Sequence, residues 1–221
     1  MNVPSFNSKS IPLEEMFKIP FHHRGVCASR VDYGHFMGKL LISMPYVNNQ
    51  MPQKSVIYIG YHSPLGAVGF MINKIVNDLS FSNLVEDLNI SYVSPFMKDT
   101  AIPMLYGGPM EKERGFVLHS PEYRSNFTMK IDHKISITAT ISILRSLCYG
   151  TGPRNFLLAL GYRRWQAGEL EEEIMYGNRW LVVDVVDDVI FNTQPHKRWN
   201  LAMQHIGIIN STMIYPYMGH G

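Results

Sequence analysis

Short apolar runs, each closed by glycine, proline or a polar cluster, recur along this chain from Gly38 onward, and they constrain its fold more than any other feature. Short apolar runs between turn signals that lack a 3.6-residue apolar period read as buried strands. Residues 39–44, closed by Pro45, and residues 55–61, rich in β-formers, predict two strands. Residues 67–72 predict a third, introduced by Pro64 and Gly66, so that 63–66 is a tight turn between antiparallel neighbours. Further strands are expected at 104–106, 115–118, 156–160 (ending at Gly161) and 180–186, with a hairpin of 127–131 and 135–137 around 132–134.

Helices interrupt this series. Residues 80–88 carry Phe81, Leu84, Val85 and Leu88 on one stripe, with Ser80 or Ser82 as N-cap. Thr138 is placed to cap a helix reaching Tyr149 and stopped by Gly150 and Gly152. Residues 168–175 form a charged helix, and 195–206 a helix with Pro195 in its first turn. Strands and helices mix without strict alternation, which favours α+β, with coiled β-sheets and several packed helices, over a doubly wound sheet. Residues 1–36 show no sustained period and read as an N-terminal extension, with Leu13, Met16 and Phe17 able to form one amphipathic turn; 37–221 reads as one domain.

Composition limits the function classes. The chain has 221 residues, a formal charge of +2 and two cysteines, Cys27 and Cys148, too few for a disulfide framework and without metal-ligand spacing. Its basic residues are scattered among acidic ones, so the electrostatic case for nucleic acid is weak. Nothing approaches the roughly 18–20 apolar residues needed to cross a bilayer, and residues 1–10 lack a secretory pattern, so a cytoplasmic location off the membrane is expected.

Three ordered stretches carry a family resemblance: Gly66-Ala67-Val68-Gly69-Phe70-Met71-Ile72-Asn73-Lys74, Tyr106-Gly107-Gly108-Pro109 and Arg114-Gly115-Phe116-Val117-Leu118-His119. Leu160-Gly161-Tyr162, Trp165, Gly168-Glu169-Leu170-Glu171, Trp180-Leu181, Arg198-Trp199 and Gly219-His220 extend it. Over about residues 38–221 the chain resembles the YqgE/AlgH family of bacterial proteins. The resemblance implies a compact fold of coiled mixed sheets with several helices, and some members carry the label of transcriptional regulator. The chain departs from the family pattern at Asn49, Gln50 and Pro52, where members tend to have Asp-Pro and then Phe. It departs again at Gly60, Tyr61 and His62, where a Cys-Glu-His run is typical, so no role of that Cys or Glu transfers.

Candidate chemistry is sparse. His62 and His119 each follow an apolar strand, where an imidazole can serve as acid, base or ligand. Gly107 and Gly108 before Arg114 can present N–H groups and a guanidinium to an anion. Asn73 follows Gly66 and Gly69, but their spacing matches neither phosphate-loop fingerprint. Each has a plainer reading: turn and packing glycines, an asparagine bonded to backbone, an arginine in a structural ion pair. No HExxH or GxSxG motif occurs, and no metal or cofactor is expected. The run Glu169, Glu171, Glu172 and Glu173 reads as a solvated helix face. Arg163-Arg164-Trp165 and Lys197-Arg198-Trp199 pair basic with aromatic residues, as base-stacking surfaces do, and serve equally as core anchors.

The leading expectation is a cytoplasmic binding or regulatory protein acting on a protein partner or a small anionic ligand. Two alternatives stand beside it: an enzyme using His62, His119 and Arg114 on an anionic substrate, which requires the three to converge, and a nucleic-acid-binding protein.

Overall fold

The structure, a computed structural model, describes residues 36–45, 52–91, 102–177, 179–185 and 187–207. The expected N-terminal extension lies outside these residues apart from Phe36. Ten strands are described: β1 (Lys39–Ser43), β2 (Val56–Ser63), β3 (Gly66–Met71), β4 (Ile75–Ser80), β5 (Pro103–Tyr106), β6 (Met110–His119), β7 (Thr128–Lys130), β8 (Ser136–Thr138), β9 (Phe156–Gln166) and β10 (Trp180–Asp184). Five α-helices accompany them: α1 (Phe81–Asp87), α2 (Ile141–Cys148), α3 (Glu169–Met175), α4 (Asp187–Ile190) and α5 (Arg198–His205), the last preceded by a 3-10 turn at Pro195–Lys197. The fold is α+β: the sheet runs β10-β1-β2-β3-β9-β6-β8-β7, antiparallel throughout, while β5 branches off it, parallel to β9, and carries β4.

The sheet is covered on both faces, so neighbouring residues of a strand enter different cores. Leu40, Ile42, Tyr58 and Phe70 pack with Phe116 and Trp199, whereas Leu41, Ile57 and Met71 pack with Trp165, Leu170 and Trp180. A third core forms where α1 and α2 lay Leu84, Val85, Ile143 and Leu144 on Val117 and Leu158. Each of these fully buried large side chains contributes about 1.5–3 kcal/mol relative to exposure.

The expected turn at 63–66 and the antiparallel β2–β3 pair are present, and so is the hairpin of β7 and β8. Asp132 Oδ1 shapes that second turn by accepting from the N–H groups of Lys134 and Ile135 at 2.6 and 2.8 Å. Ser80 caps α1, its Oγ accepting from Asn83 N–H at 3.1 Å. Thr138, read as a cap, lies in β8 instead, and Thr140 precedes α2. β9 does not stop at Gly161 but passes through it at φ +70° and continues to Gln166. β4 had no sequence signal, because its residues are mostly exposed and form no apolar run.

Candidate functional site

The residues singled out in the sequence do not share a site. His62, at the end of β2, is buried; its Nδ1 accepts from Phe36 N–H at 3.2 Å, which leaves Nε2 to face Glu171 Oε1 at 2.8 Å. His119, at the end of β6, is fully buried between the Ser120 carbonyl, 2.8 Å from Nδ1, and Thr138 Oγ1, 2.9 Å from Nε2, with Tyr123 edge-on. His62 neighbours Ala67, which pairs with Trp165 near the end of β9, whereas His119 pairs with Phe156 at its start. The length of a strand therefore separates the two imidazoles. Arg114 donates to Glu111 at 3.2 Å and lies over the Phe116 ring. The convergence that an enzyme built on His62, His119 and Arg114 requires is absent.

Gly107 and Gly108 have a packing role. A Cβ on Gly107 would stand 2.2 Å from the Gly161 carbonyl oxygen, and one on Gly108 2.2 Å from the Tyr162 carbonyl carbon. The Gly107 N–H already donates to Leu160 O at 2.7 Å, so it is not offered to an anion. Gly60 is similarly enclosed: a Cβ there would lie 2.8 Å from Ile137 and 2.9 Å from Phe70.

Burial lowers the pKa of His119, although the Ser120 carbonyl and Glu122 oppose the shift. A folded-state value below the unfolded one means that the unfolded chain binds more protons, so this contribution is complete above about pH 6.5 and is lost as pH falls. Urea unfolding between pH 8 and pH 5 is expected to show His119→Gln less stable at pH 8 but with a shallower loss toward pH 5 than wild type. Parallel pH curves for the two proteins would contradict this assignment.

Asn73, one of the six candidates, lines a cleft. Its Oδ1 accepts from Val56 N–H at 2.8 Å, and its Nδ2 donates to Lys54 O at 2.7 Å, tying the exit of β3 to the start of β2. Lys74 Nζ reinforces the tie by donating to Gln53 O at 2.6 Å, and its own carbonyl accepts from Tyr106 N–H at 2.8 Å. Between these anchors Lys54 adopts φ +53°, a left-handed conformation that costs a lysine about 1–3 kcal/mol and persists where the surroundings impose it. Its Nζ lies 5.1 Å from the centre of the Trp199 ring. Trp199 is buried and donates to Ser43 O at 3.0 Å, while the neighbouring Arg198 guanidinium is buried against the Ile72 carbonyl, burial lowering its pKa to about 10.

A cleft of about 340 Å³ is lined here by Lys54, Asn73, Lys74, Ile75, Asn77, His196, Trp199 and Asn200. Among the described residues no Asp or Glu lines it. Burial, and secondarily the charge of Lys54, lower the pKa of Lys74, so the two cations repel across a partly desolvated space. Cations, an imidazole and carboxamide donors around a concavity can hold an anion, which would relieve that repulsion. Trp165 and Trp199 are both buried core anchors, and each ring already has a cation beside it, Arg163 and Lys54 respectively. Among the described residues no three His, Cys, Asp or Glu side chains gather to hold a metal, and no helix is long and apolar enough to cross a membrane.

Lys54, Lys74 and His196 were not singled out in the sequence. The β2–β3 register does contain a signal: Ile57 pairs with Met71, and three further residues outward on each strand lead to Lys54 and Lys74. His196 and Asn200 arrive from the C-terminal helical segment through tertiary packing alone.

Comparisons with known proteins agree with this architecture. A family model described as AlgH-like matches residues 40–211. A UPF0301 protein of Methylobacterium nodulans is 40% identical over 209 residues, covering 90% of this chain and 96% of the relative. One from Cereibacter sphaeroides is 42% identical over 172 residues, covering 77% and 91%. The solution structure of AlgH from Pseudomonas aeruginosa superposes with a TM-score of 0.68 at 27% identity, covering 88% of this chain and all of that one. DIP2367 of Corynebacterium diphtheriae, at TM-score 0.61 and 16% identity, shares the fold. With most of its length matched by the family model and by relatives near 40% identity, this chain belongs to the AlgH-like, or UPF0301, family.

Proposed function

We propose that this protein is a cytoplasmic ligand-binding protein of regulatory type, and that the cleft between Lys54 and Lys74 is where it receives a small anion. The observation that carries the reading is the meeting of Lys54, Lys74 and His196 with three asparagines around one cavity that, among the described residues, no carboxylate lines. The asparagine clamp and the left-handed Lys54 hold part of this arrangement in place before a ligand arrives, which limits the ordering cost of binding. The regulatory element of the reading rests on the label some members of the family carry.

Inorganic phosphate, pyrophosphate and citrate serve as probes. At tenfold excess over Kd, a ligand of the folded state stabilises by about 1.4 kcal/mol, which for a chain of this size raises Tm by about 3–6 °C. At least one probe should produce such a rise in wild type and in Lys112→Ala/Lys130→Ala, whose two lysines are exposed elsewhere. In Lys54→Ala/Lys74→Ala the rise should vanish. Equal shifts in both double variants, or no shift from any probe in wild type, would defeat the proposal.

A further inference from the structure

The two lysines of the cleft are not equivalent, and the difference bears on what kind of anion belongs there. Lys54 is exposed and extends over the Trp199 ring, positioned as a cation for an incoming charge. Lys74 is half-buried, and its Nζ is held by the Gln53 carbonyl at the wall of the cavity. Resting on the reading of the cleft as an anion site, we propose that its ligands are small anionic aldehydes or 2-oxo acids, which Lys74 captures reversibly as an imine while Lys54 holds their carboxylate or phosphate.

Three features support this assignment. A lysine becomes a nucleophile when desolvation and a neighbouring cation favour its neutral amine, and both influences act on Lys74. The anion-holding group is a different residue lining the same cavity, so binding and bond formation need not compete for one amine. The cavity, about 340 Å³, lies at the small end of ligand-pocket sizes and suits a compact metabolite.

The step balances without an oxidant or reductant. The Nζ lone pair adds to the carbonyl carbon as the C=O π pair moves to oxygen, which takes up a proton. The resulting carbinolamine loses that oxygen as water while nitrogen gives up its remaining proton and C=N forms. One amine and one carbonyl give one imine and one water. His196, exposed on the same cavity, can relay the protons.

Glyoxylate, which carries an aldehyde and a carboxylate, is the probe. The full chain is incubated with it at pH 7 in the presence of cyanoborohydride, which reduces imines to stable secondary amines, and the modified lysines are located by peptide mass mapping. Lys74 should be labelled at least tenfold faster than Lys112 and Lys130, and this advantage should disappear in urea. Lys54→Ala should slow Lys74 labelling at least threefold. Lys74→Arg should lose the fast-labelled position while keeping the thermal shift given by the best of the three anion probes. If Lys74 labels no faster than Lys112 and Lys130 although an anion probe still stabilises the protein, the imine is overturned and the anion site stands. If the anion probes fail as well, both readings fall.

Discussion

Replacing Glu173 by alanine is expected to cost about 3–5 kcal/mol, the range found when one partner of a buried charge network is removed. Glu173 is buried on α3, and both its oxygens are fully engaged. Oε2 accepts from the indole N–H groups of Trp165 and Trp180 at 2.9 and 2.7 Å, and Oε1 from Arg163 and Arg179 at 2.7 and 3.0 Å. The carboxylate thus joins β9 to β10, which are not neighbours in the sheet. Without it two buried indoles lose their acceptor, at about 1–3 kcal/mol for each unsatisfied group. Arg163, stacked 4.8 Å from the centre of the Trp165 ring, loses its ion-pair partner. Glu173→Gln keeps the volume, yet its NH₂ must face either the indoles or the guanidinium groups, all donors, so it should retain less than half of the stabilisation. Exposed Glu172→Ala should fall within about 0.5 kcal/mol of wild type. The measurement is urea unfolding at unchanged m-value; a loss below about 1 kcal/mol in Glu173→Ala would refute the network's importance.

Glu173 also illustrates what the sequence left unreadable. In the run from Glu169 to Glu173, charge and spacing suggest a solvated face, yet Glu171 and Glu173 are buried against His62 and the two tryptophans. The usable signal lay in the partners: a buried tryptophan ordinarily needs an acceptor for its N–H, and Trp165, Trp180 and Trp199 are all buried. β1, β2 and β3 were legible because a strand covered on both faces must be apolar along most of its length. β4, exposed, had no such requirement. The anion cleft was legible in part, since a hairpin closing at 63–66 brings residues 54 and 74 together once its register is known. A bulge between Ile59 and Tyr61 shifts that register by an amount that composition does not encode. Gly107, Gly108 and Arg114 drew attention as a ligand corner because close backbone packing and anion binding both call for glycine, and only coordinates distinguish the two.

Gly107→Ala and Gly108→Ala test that distinction, and each is expected to cost more than about 3 kcal/mol, beyond the usual range for overpacking. The reason is what the added methyl would meet. Its contacts at 2.2 Å are the Gly161 carbonyl oxygen for one and the Tyr162 carbonyl carbon for the other, backbone atoms that cannot rotate away as a side chain can. The crossing is tight from both sides, since a Cβ on Gly161, at φ +70°, would itself approach Met110 O to 2.6 Å. Gly168→Ala provides the comparison. Gly168 also has a left-handed φ, +78°, but nothing lies within 4 Å of the point a methyl there would occupy, so only backbone strain of about 1 kcal/mol is at stake. Gly107 further connects the crossing to the cleft: its carbonyl accepts from Met71 N–H at 2.8 Å, and the adjacent Tyr106 N–H holds the Lys74 carbonyl. Gly107→Ala should therefore reduce the anion-induced rise in Tm as well as stability, whereas Gly168→Ala should leave that rise intact. If Gly107→Ala costs no more than Gly168→Ala in urea unfolding, close approach is not what glycine provides at this crossing.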